Sequence, residues 1–233
     1  MHLIESSVFL LLVLMLLCTF IGGLLEFAVK VTTSVLGVPN LSTHLVSLSL
    51  LFNRLGAAVV LLMVGYFLDT GLDSIKLIGS YVVFCFLLAL IYFYAAFYVP
   101  RTFFVLRGFI QKYYQINVNN AQEYQPRLNI YRPTLDVMII FLLSIFGFLL
   151  PSVAASFFPN YRATLLQTGF VLNSVATLYS TFRIEKRLAL IFNADDNIPK
   201  WDVYAAFLYS RGLGALLGSL LLFLYAFWIW FSP

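Results

Sequence analysis

The sequence predicts an all-α protein that crosses a membrane several times. Of its 233 residues, 62% are hydrophobic and only 10% are charged, whereas soluble domains usually carry about 25% charged residues. Its apolar residues come in long runs, and an α-helix needs about 20 of them to cross a hydrocarbon core of about 30 Å. We therefore expect one integral-membrane domain that covers residues 1–233.

The number of long apolar runs predicts six spans. Their predicted bounds are residues 8–34, 41–69, 75–99, 134–158, 162–182 and 202–230. After the third span, residues 101–115 place Arg101, Arg107 and Lys112 among apolar side chains, a pattern typical of a short amphipathic helix on an anionic membrane surface. Three spans in each half would give the halves opposite orientations, so an inverted repeat is a further prediction.

The charges in the loops predict the orientation of the spans. The loops between spans 3 and 4 and between spans 5 and 6 contain nine basic residues: Arg101, Arg107, Lys112, Arg127, Arg132, Arg183, Lys186, Arg187 and Lys200. The loops of the opposite side contain only Lys76 and Arg162. The positive-inside rule therefore places the basic loops in the cytoplasm and both termini outside.

One charge lies near the middle of the second predicted span. Arg54, preceded by Asn53, is the only charged residue between His44 and Asp69. An arginine at the centre of a span costs roughly 2.5–3.5 kcal/mol on insertion scales, so it should face the protein interior, water or an anionic partner. Two interpretations stay open. Arg54 binds a ligand, or a neighbouring carboxylate such as Glu26 of the first span neutralises it.

The fifth and sixth predicted spans also contain polar residues. Asn173 and Thr177 lie one helical turn apart in span 5, and this face either lines an interior site or joins helices through hydrogen bonds. Arg211 in span 6 either faces the interior or extends to the membrane surface. A row of small residues in span 6 predicts close helix packing: Ser210, Gly214 and Gly218.

The sequence contains none of the motifs that usually indicate an enzyme or a metal centre. It has no P-loop, dinucleotide fingerprint, HExxH or GxSxG motif. The two cysteines, Cys18 and Cys85, and the two histidines do not have the spacing of metal ligands. No run rich in lysine and arginine suggests nucleic-acid binding. We therefore expect no enzymatic activity, no cofactor and no nucleic-acid partner.

The candidate site is instead a set of arginines and amides within the spans. Guanidinium groups bind phosphate through paired hydrogen bonds, so buried arginines suggest an anionic lipid head group as the ligand. We expect Glu26 to neutralise the arginines between cycles, and Lys186 and Arg187 to recruit the head group at the cytoplasmic mouth. The residues expected to contact the head group are Asn53, Arg54, Arg162, Asn173 and Arg211.

Two segments of the sequence resemble a known transporter family. Residues 149–191 contain the motif PNYRAT followed by the polar stretch NSVAT, and residues 46–54 read VSLSLLFNR. These segments resemble the Amj family of lipid II flippases, and the six-span plan is similar as well. The chain departs from the family pattern at Ser174, where Gly is expected, and at Asn53, where Ser is expected.

The resemblance implies a function in cell-wall biosynthesis. The protein would move lipid II, the undecaprenyl-pyrophosphate-linked peptidoglycan precursor, from the inner to the outer leaflet of the bacterial cytoplasmic membrane. It would need no cofactor, and a homo-oligomer stays open. Two alternatives remain: a transporter of another polyprenyl-linked or anionic lipid, and a non-transporting membrane scaffold. In the scaffold, Arg54 and Arg211 would be structural, and the row of small residues would drive assembly.

Overall fold

A computed structural model describes residues 13–14, 16–17, 55–56, 58–98, 108, 112, 135–185 and 200–231. Nearly all of these residues are helical and no strand occurs among them, which confirms the predicted all-α class. A 3₁₀ turn, Pro159–Tyr161, precedes α4, and a π-helical turn, Ser180–Glu185, follows it. The α-helices are α1 (Ala58–Asp69), α2 (Ser74–Phe97), α3 (Leu135–Phe157), α4 (Arg162–Tyr179) and α5 (Lys200–Phe231).

Three of these helices are long and apolar enough to cross a membrane: α2, α3 and the segment Asp202–Phe231 of α5. They match predicted spans 3, 4 and 6 to within two residues at each end. The helix α4 begins where span 5 was predicted, but it is less apolar than the other three. The length and apolarity of these helices are consistent with a membrane protein, and the count of six spans stays a prediction.

The other predicted elements fall mainly outside the described residues. Span 1 is described only at residues 13–14 and 16–17, and α1 covers the last part of span 2. The amphipathic segment 101–115 is described only at Gly108 and Lys112, which are helical and exposed. The amphipathic helix and the inverted repeat therefore stay predictions.

The turn between α1 and α2 follows from its sequence. Gly71 has a φ of +92°, a conformation that glycine adopts without a steric penalty. The N–H groups of Gly71 and Leu72 donate to the carbonyls of Leu68 and Phe67 at 3.2 and 2.9 Å, the Schellman pattern of a helix end. The Asp73 carboxylate then accepts from the second N–H of α2 at 3.3 Å. This N-cap fixes the start of α2.

The contacts between helices establish their directions. Ser219 of α5 donates to the Val82 carbonyl of α2 at 3.1 Å, whereas Arg211 lies beside Tyr92, so α2 and α5 are antiparallel. The helix α3 lies between α5 and α4, parallel to α5 and antiparallel to α4. The turns at 70–73 and 158–161 therefore lie at one end of the bundle, which we call the turn side.

The end of α2 and the starts of α3 and α5 lie at the opposite side of the bundle. The two predicted cytoplasmic loops, 3–4 and 5–6, both begin and end there. This shared side agrees with the alternation that the loop charges predict. The assignment of that side to the cytoplasm stays a prediction, because the packing of the helices does not distinguish the cytoplasmic face of a membrane from the outer face.

The distribution of apolar side chains fits a bundle surrounded by lipid. Large side chains such as Tyr81, Phe84 and Ile145 are completely buried between the helices. The outer surface is equally apolar, with exposed residues that include Phe86, Leu143, Leu150, Leu220 and Phe223. A water-soluble monomer rarely exposes a continuous apolar surface of more than a few hundred Å².

The row of small residues in α5 packs against α3. A Cβ atom on Gly214 would lie 2.8 Å from the backbone carbonyl oxygen of Met138, and one on Gly218 would lie 3.4 Å from a methyl group of Leu142. Ser210 is buried, and its hydroxyl donates to the Ala206 carbonyl at 2.7 Å. The predicted close-packing face is therefore confirmed, and its partner is a helix of the same chain.

We predict that Gly214→Ala lowers the free energy of unfolding by about 1–3 kcal/mol, because the new methyl group must displace the backbone of α3. Gly79→Ala is the matched control, because a Cβ atom there meets nothing within 4 Å. The control should leave stability unchanged or raise it by up to about 1 kcal/mol. Unfolding of both variants in detergent micelles measures the difference, and equal stabilities would contradict the close α3–α5 contact.

Candidate functional site

Arg211 of α5 lies among three aromatic rings. Its guanidinium carbon is 4.4 Å from the ring centre of Phe207, 5.2 Å from that of Phe141 and 5.9 Å from that of Tyr92. These residues come from α5, α3 and α2, so the side chain lies where the three spanning helices meet. Cation–π contacts of this kind contribute about 2 kcal/mol or more where water is excluded. The rings can therefore hold a charged guanidinium within the membrane domain.

Two tyrosine hydroxyl groups complete this arrangement, which we call the Arg211 enclosure. Arg211 Nη1 donates to Tyr92 Oη at 3.4 Å, and the Tyr92 ring packs edge-on against Phe141 with a centroid distance of 5.1 Å. Tyr204, also almost completely buried, lies close enough to Tyr92 and Arg211 to interact with both electrostatically. A guanidinium and tyrosine hydroxyls are hydrogen-bond donors. The enclosure therefore contains hydrogen-bond donors of the kind from which an anion accepts.

The depth of the enclosure can be measured along the helices. Tyr92 lies five residues before the end of α2, and Phe141 lies six residues after the start of α3. At 1.5 Å per residue, the two rings that contact Arg211 therefore lie about 8–9 Å inside the ends of α2 and α3 opposite the turn side. Of the two alternatives for Arg211, this position favours an interior site. The side chain is half-buried and turned toward the rings.

Arg162 lies at the other end of the bundle. Its guanidinium forms an ion pair with Asp69 at the end of α1, and its Nε donates to the Ala155 carbonyl of α3 at 3.4 Å. Ala155 and Phe141 are fourteen residues apart on α3, or about 21 Å. The structure therefore does not bring Arg162 and Arg211 together. In the described conformation Arg162 joins α1, α3 and α4 on the turn side.

Asn173 lies near the middle of α4 and is half-buried against α3. The two helices cross closely here: a Cβ atom on Gly147 would lie 3.2 Å from the backbone nitrogen of Asn173, and one on Gly169 would lie 3.2 Å from the Gly147 carbonyl oxygen. Pro151 explains this arrangement, because it has no N–H to donate to the carbonyl four residues earlier, that of Gly147. The backbone of Gly169 packs against the carbonyl that Pro151 leaves without its helical partner.

Two threonine hydroxyl groups of α4 bond within their own helix. Thr168 Oγ1 donates to the Leu165 carbonyl at 2.7 Å, and Thr177 Oγ1 donates to the Asn173 carbonyl at 2.8 Å. Such bonds lower the cost of a hydroxyl in an apolar medium. The polar side chains of α4 are compatible with membrane depth, and Thr177 is exposed rather than packed with Asn173 against α3.

Five of the candidate residues fall outside the described residues. Glu26, Asn53 and Arg54 belong to the predicted first and second spans, and Lys186 and Arg187 follow the π-helical turn. Their predicted roles stay predictions. Of the candidates that are described, Arg211 lies among aromatic rings of three helices, Asn173 lies at a helix crossing, and Arg162 forms an ion pair.

Three residues of the Arg211 enclosure could not be singled out from the sequence. Tyr92 lies in the segment YFYAAFY, whose composition predicts an aromatic belt at the membrane surface. Tyr94 and Tyr98 fit that prediction, with ring centres 4.5 Å apart and both rings exposed, but Tyr92 is buried. Phe141 and Phe207 look like ordinary apolar residues. Their positions around Arg211 depend on how α2, α3 and α5 pack.

An apolar groove of about 880 Å³ follows the outer surface of α5 beside α2. Ser219 provides the one hydroxyl group in its wall, and that hydroxyl donates to the Val82 carbonyl. The groove and the Arg211 enclosure lie on different faces of α5. The residues that line the groove are Val82, Val83, Phe86, Leu87, Met138, Leu213, Leu216, Leu217, Ser219, Leu220 and Phe223.

Comparison with known proteins identifies no relative of this chain. No protein-family model matches the chain, and no curated protein or solved structure is significantly similar to it. The resemblance to the Amj family therefore rests on the motifs quoted from the sequence.

We predict that the Asp69–Arg162 pair contributes little to stability, because the Asp69 side chain is 69% exposed. A double-mutant cycle with Asp69→Asn and Arg162→Gln should give a coupling free energy of roughly 0.2–1 kcal/mol at low ionic strength. Screening by salt should reduce it. Unfolding in detergent at low and high salt measures the coupling. A value that does not change with salt would contradict an exposed pair.

Proposed function

We propose that this protein is a lipid II flippase of the Amj type, which moves a pyrophosphate-linked lipid between the leaflets of the bacterial cytoplasmic membrane. The observation that carries the proposal is the Arg211 enclosure, a cation held among aromatic rings where three spanning helices meet. The resemblance of residues 46–54 and 149–191 to the Amj family supports the same assignment.

The enclosure has properties that suit a pyrophosphate group in transit. The guanidinium carries a permanent charge and can form two parallel hydrogen bonds to phosphate oxygens. Its aromatic walls lower the local dielectric constant, which strengthens the attraction between opposite charges. Tyr92 Oη accepts a hydrogen bond from Arg211 and helps to hold the guanidinium in place. The polar groups of the Arg211 enclosure can thus replace part of the head group's hydration.

Other residues complete the proposed path. Lys186 and Arg187 would attract the anionic head group from the cytoplasm, and Arg54 with Asn53 would bind it within the membrane. Glu26 would neutralise the arginines when no lipid is bound. Asn173 would add an amide on α4. Arg162, which was expected to contact the head group, would instead join α1, α3 and α4 on the turn side. Its ion pair with Asp69 lies about 21 Å along α3 from the enclosure.

The protein would carry out this transport without a nucleotide-driven motor. No P-loop occurs in the sequence, so the driving force would be consumption of the product on the outer side or the membrane potential. Moving one elementary charge across 100 mV is worth about 2.3 kcal/mol. An anionic head group that crosses from the cytoplasm outward moves in the direction that an inside-negative potential favours.

One alternative is a transporter for a different anionic lipid, because the enclosure recognises charge and not the sugar or peptide. The scaffold alternative has less support. Assembly through Ser210, Gly214 and Gly218 would need that face to be available, whereas Gly214 and Gly218 pack against α3 within the chain. A homo-oligomer that uses another surface is compatible with the proposal.

The direct test is rescue of bacterial cells depleted of their own lipid II flippases. Expression of this protein should restore growth and the appearance of lipid II in the outer leaflet. Arg54→Ala and Arg211→Ala should fail to do so while reaching normal levels in the membrane. Failure of the unaltered protein to rescue, despite normal insertion, would reject the lipid II assignment.

We also predict a graded effect of substitutions at Arg211 on the transport rate in reconstituted vesicles. Arg211→Ala should lower the initial rate about 10–150-fold, because a hydrogen bond to a charged group contributes about 1.5–3 kcal/mol. Arg211→Lys should be intermediate, because lysine keeps the charge and loses the planar fork. The control is Lys76→Ala, which removes one exposed positive charge on the turn side. Equal rates for Arg211→Ala and the control would contradict a role of Arg211 in binding.

A further inference from the structure

The exposed tyrosine and tryptophan side chains lie near the ends of the helices. On the turn side this group, which we call the turn-side girdle, consists of Tyr66, Tyr161, Tyr225, Trp228 and Trp230. On the opposite side, the far girdle consists of Tyr94 and Tyr98 at the end of α2 and Tyr179 at the end of α4. Across the described ranges, no exposed tyrosine or tryptophan lies in the middle of a helix.

The distance between the two girdles is close to the thickness of a hydrocarbon core. Tyrosine and tryptophan favour the boundary between hydrocarbon and head groups, because each has an apolar ring and one polar group. Tyr161 lies directly before α4 and Tyr179 is its last residue, so they are eighteen residues or about 27 Å apart. A hydrocarbon core is about 30 Å thick. The spacing of the girdles therefore matches the head-group regions of the two leaflets.

Arg211 lies at the level of the far girdle. It precedes Trp228 of the turn-side girdle by seventeen residues on the same helix, a distance of about 26 Å. Its side chain is directed toward the start of α5, because the closest of the three surrounding rings is that of Phe207, one helical turn earlier. Its hydrogen-bond partner Tyr92 is two residues from Tyr94. The guanidinium is thus enclosed by the bundle and, in depth, close to the head groups of one leaflet.

We propose that the Arg211 enclosure binds the phosphate group of a lipid that still occupies the leaflet opposite the turn side. The lipid phosphate and the guanidinium lie at the same depth, so the head group reaches Arg211 by lateral movement while its hydrocarbon chain stays among the other chains. The guanidinium then exchanges contacts with the aromatic rings for paired hydrogen bonds to phosphate oxygens. This role rests on the proposed function, and it makes Arg211 the first binding site of the transported lipid, before any site at mid-depth.

The test measures which part of the protein a lipid phosphate contacts. The probe is a polyprenyl phosphate with a photoreactive diazirine in the isoprene unit next to the phosphate. A small amount is added to vesicles of phosphatidylethanolamine and phosphatidylglycerol that contain the full-length protein. After irradiation, mass spectrometry gives the ratio of adducts on residues 92–98, beside the enclosure, to adducts on residues 225–231 of the turn-side girdle.

We expect Arg211→Gln to lower this ratio several-fold, because the variant loses the charge that holds the phosphate beside the far girdle. Adducts on the turn-side girdle measure unspecific lipid contact and should stay unchanged. Arg211→Lys keeps the charge and loses the planar fork, so its ratio should be intermediate, which separates binding from misfolding. The matched control is Lys112→Gln, which removes an exposed positive charge from the segment between α2 and α3 and should leave the ratio unchanged.

An equal ratio for the unaltered protein and Arg211→Gln would overturn the proposal, and so would an equal loss in Lys112→Gln, which would indicate attraction by surface charge alone. Excess soluble pyrophosphate should leave the adducts unchanged; their loss would overturn the proposal by identifying the ligand as a free phosphate from the water. Rescue of flippase-depleted cells, together with adducts that do not depend on Arg211, would reject this entry site and leave the transport function. Arg211-dependent adducts without rescue would reject transport and support the lipid-phosphate site.

Discussion

The position of α3 is the constraint on which the rest of the bundle depends. Its backbone is approached closely on one side by Gly214 of α5 and on the other by Gly169 of α4. Both approaches bring a glycine to a backbone carbonyl, at Met138 and at Gly147. In a membrane, water does not drive helices together, and close van der Waals packing of small residues takes its place. Larger residues at these two glycines would move α4 and α5 away from α3.

The Arg211 enclosure is a consequence of this packing. Phe141 reaches Arg211 because α3 lies close to α5, and Tyr92 reaches it because α2 is antiparallel to α5. No single helix contains the enclosure. The close contact at Gly214 lies one helical turn from Arg211, so the tight packing of α3 on α5 also sets the distance between the guanidinium and the Phe141 ring. Helix packing therefore determines the position of the guanidinium among the aromatic rings.

Much of the fold could be predicted from the sequence, because length and apolarity set the helices and loop charge sets their alternation. The bounds of α2, α3 and α5 follow from Asp73, Pro159 and the apolar runs, and the small residues of α5 indicate its packing face. The site was less predictable. An arginine in a span indicates a charge in need of a partner, but the partners of Arg211 are aromatic residues of other helices. The ion pair of Arg162 joins residues that are 93 positions apart, and no local pattern encodes it.

The two faces of α5 separate two kinds of chemistry. Leu220 follows Arg211 by nine residues, and nine residues turn an α-helix by about two and a half turns, which places the two side chains on opposite faces. The face with Arg211 is directed toward α2 and α3 and offers hydrogen-bond donors, whereas the face with Leu220 is exposed and offers apolar surface. A protein that moves an anionic lipid must replace the hydration of the head group and leave the hydrocarbon chain in an apolar medium. A helix with one face of each kind meets both requirements, because the charged group can be bound inside the bundle while hydrocarbon remains outside it.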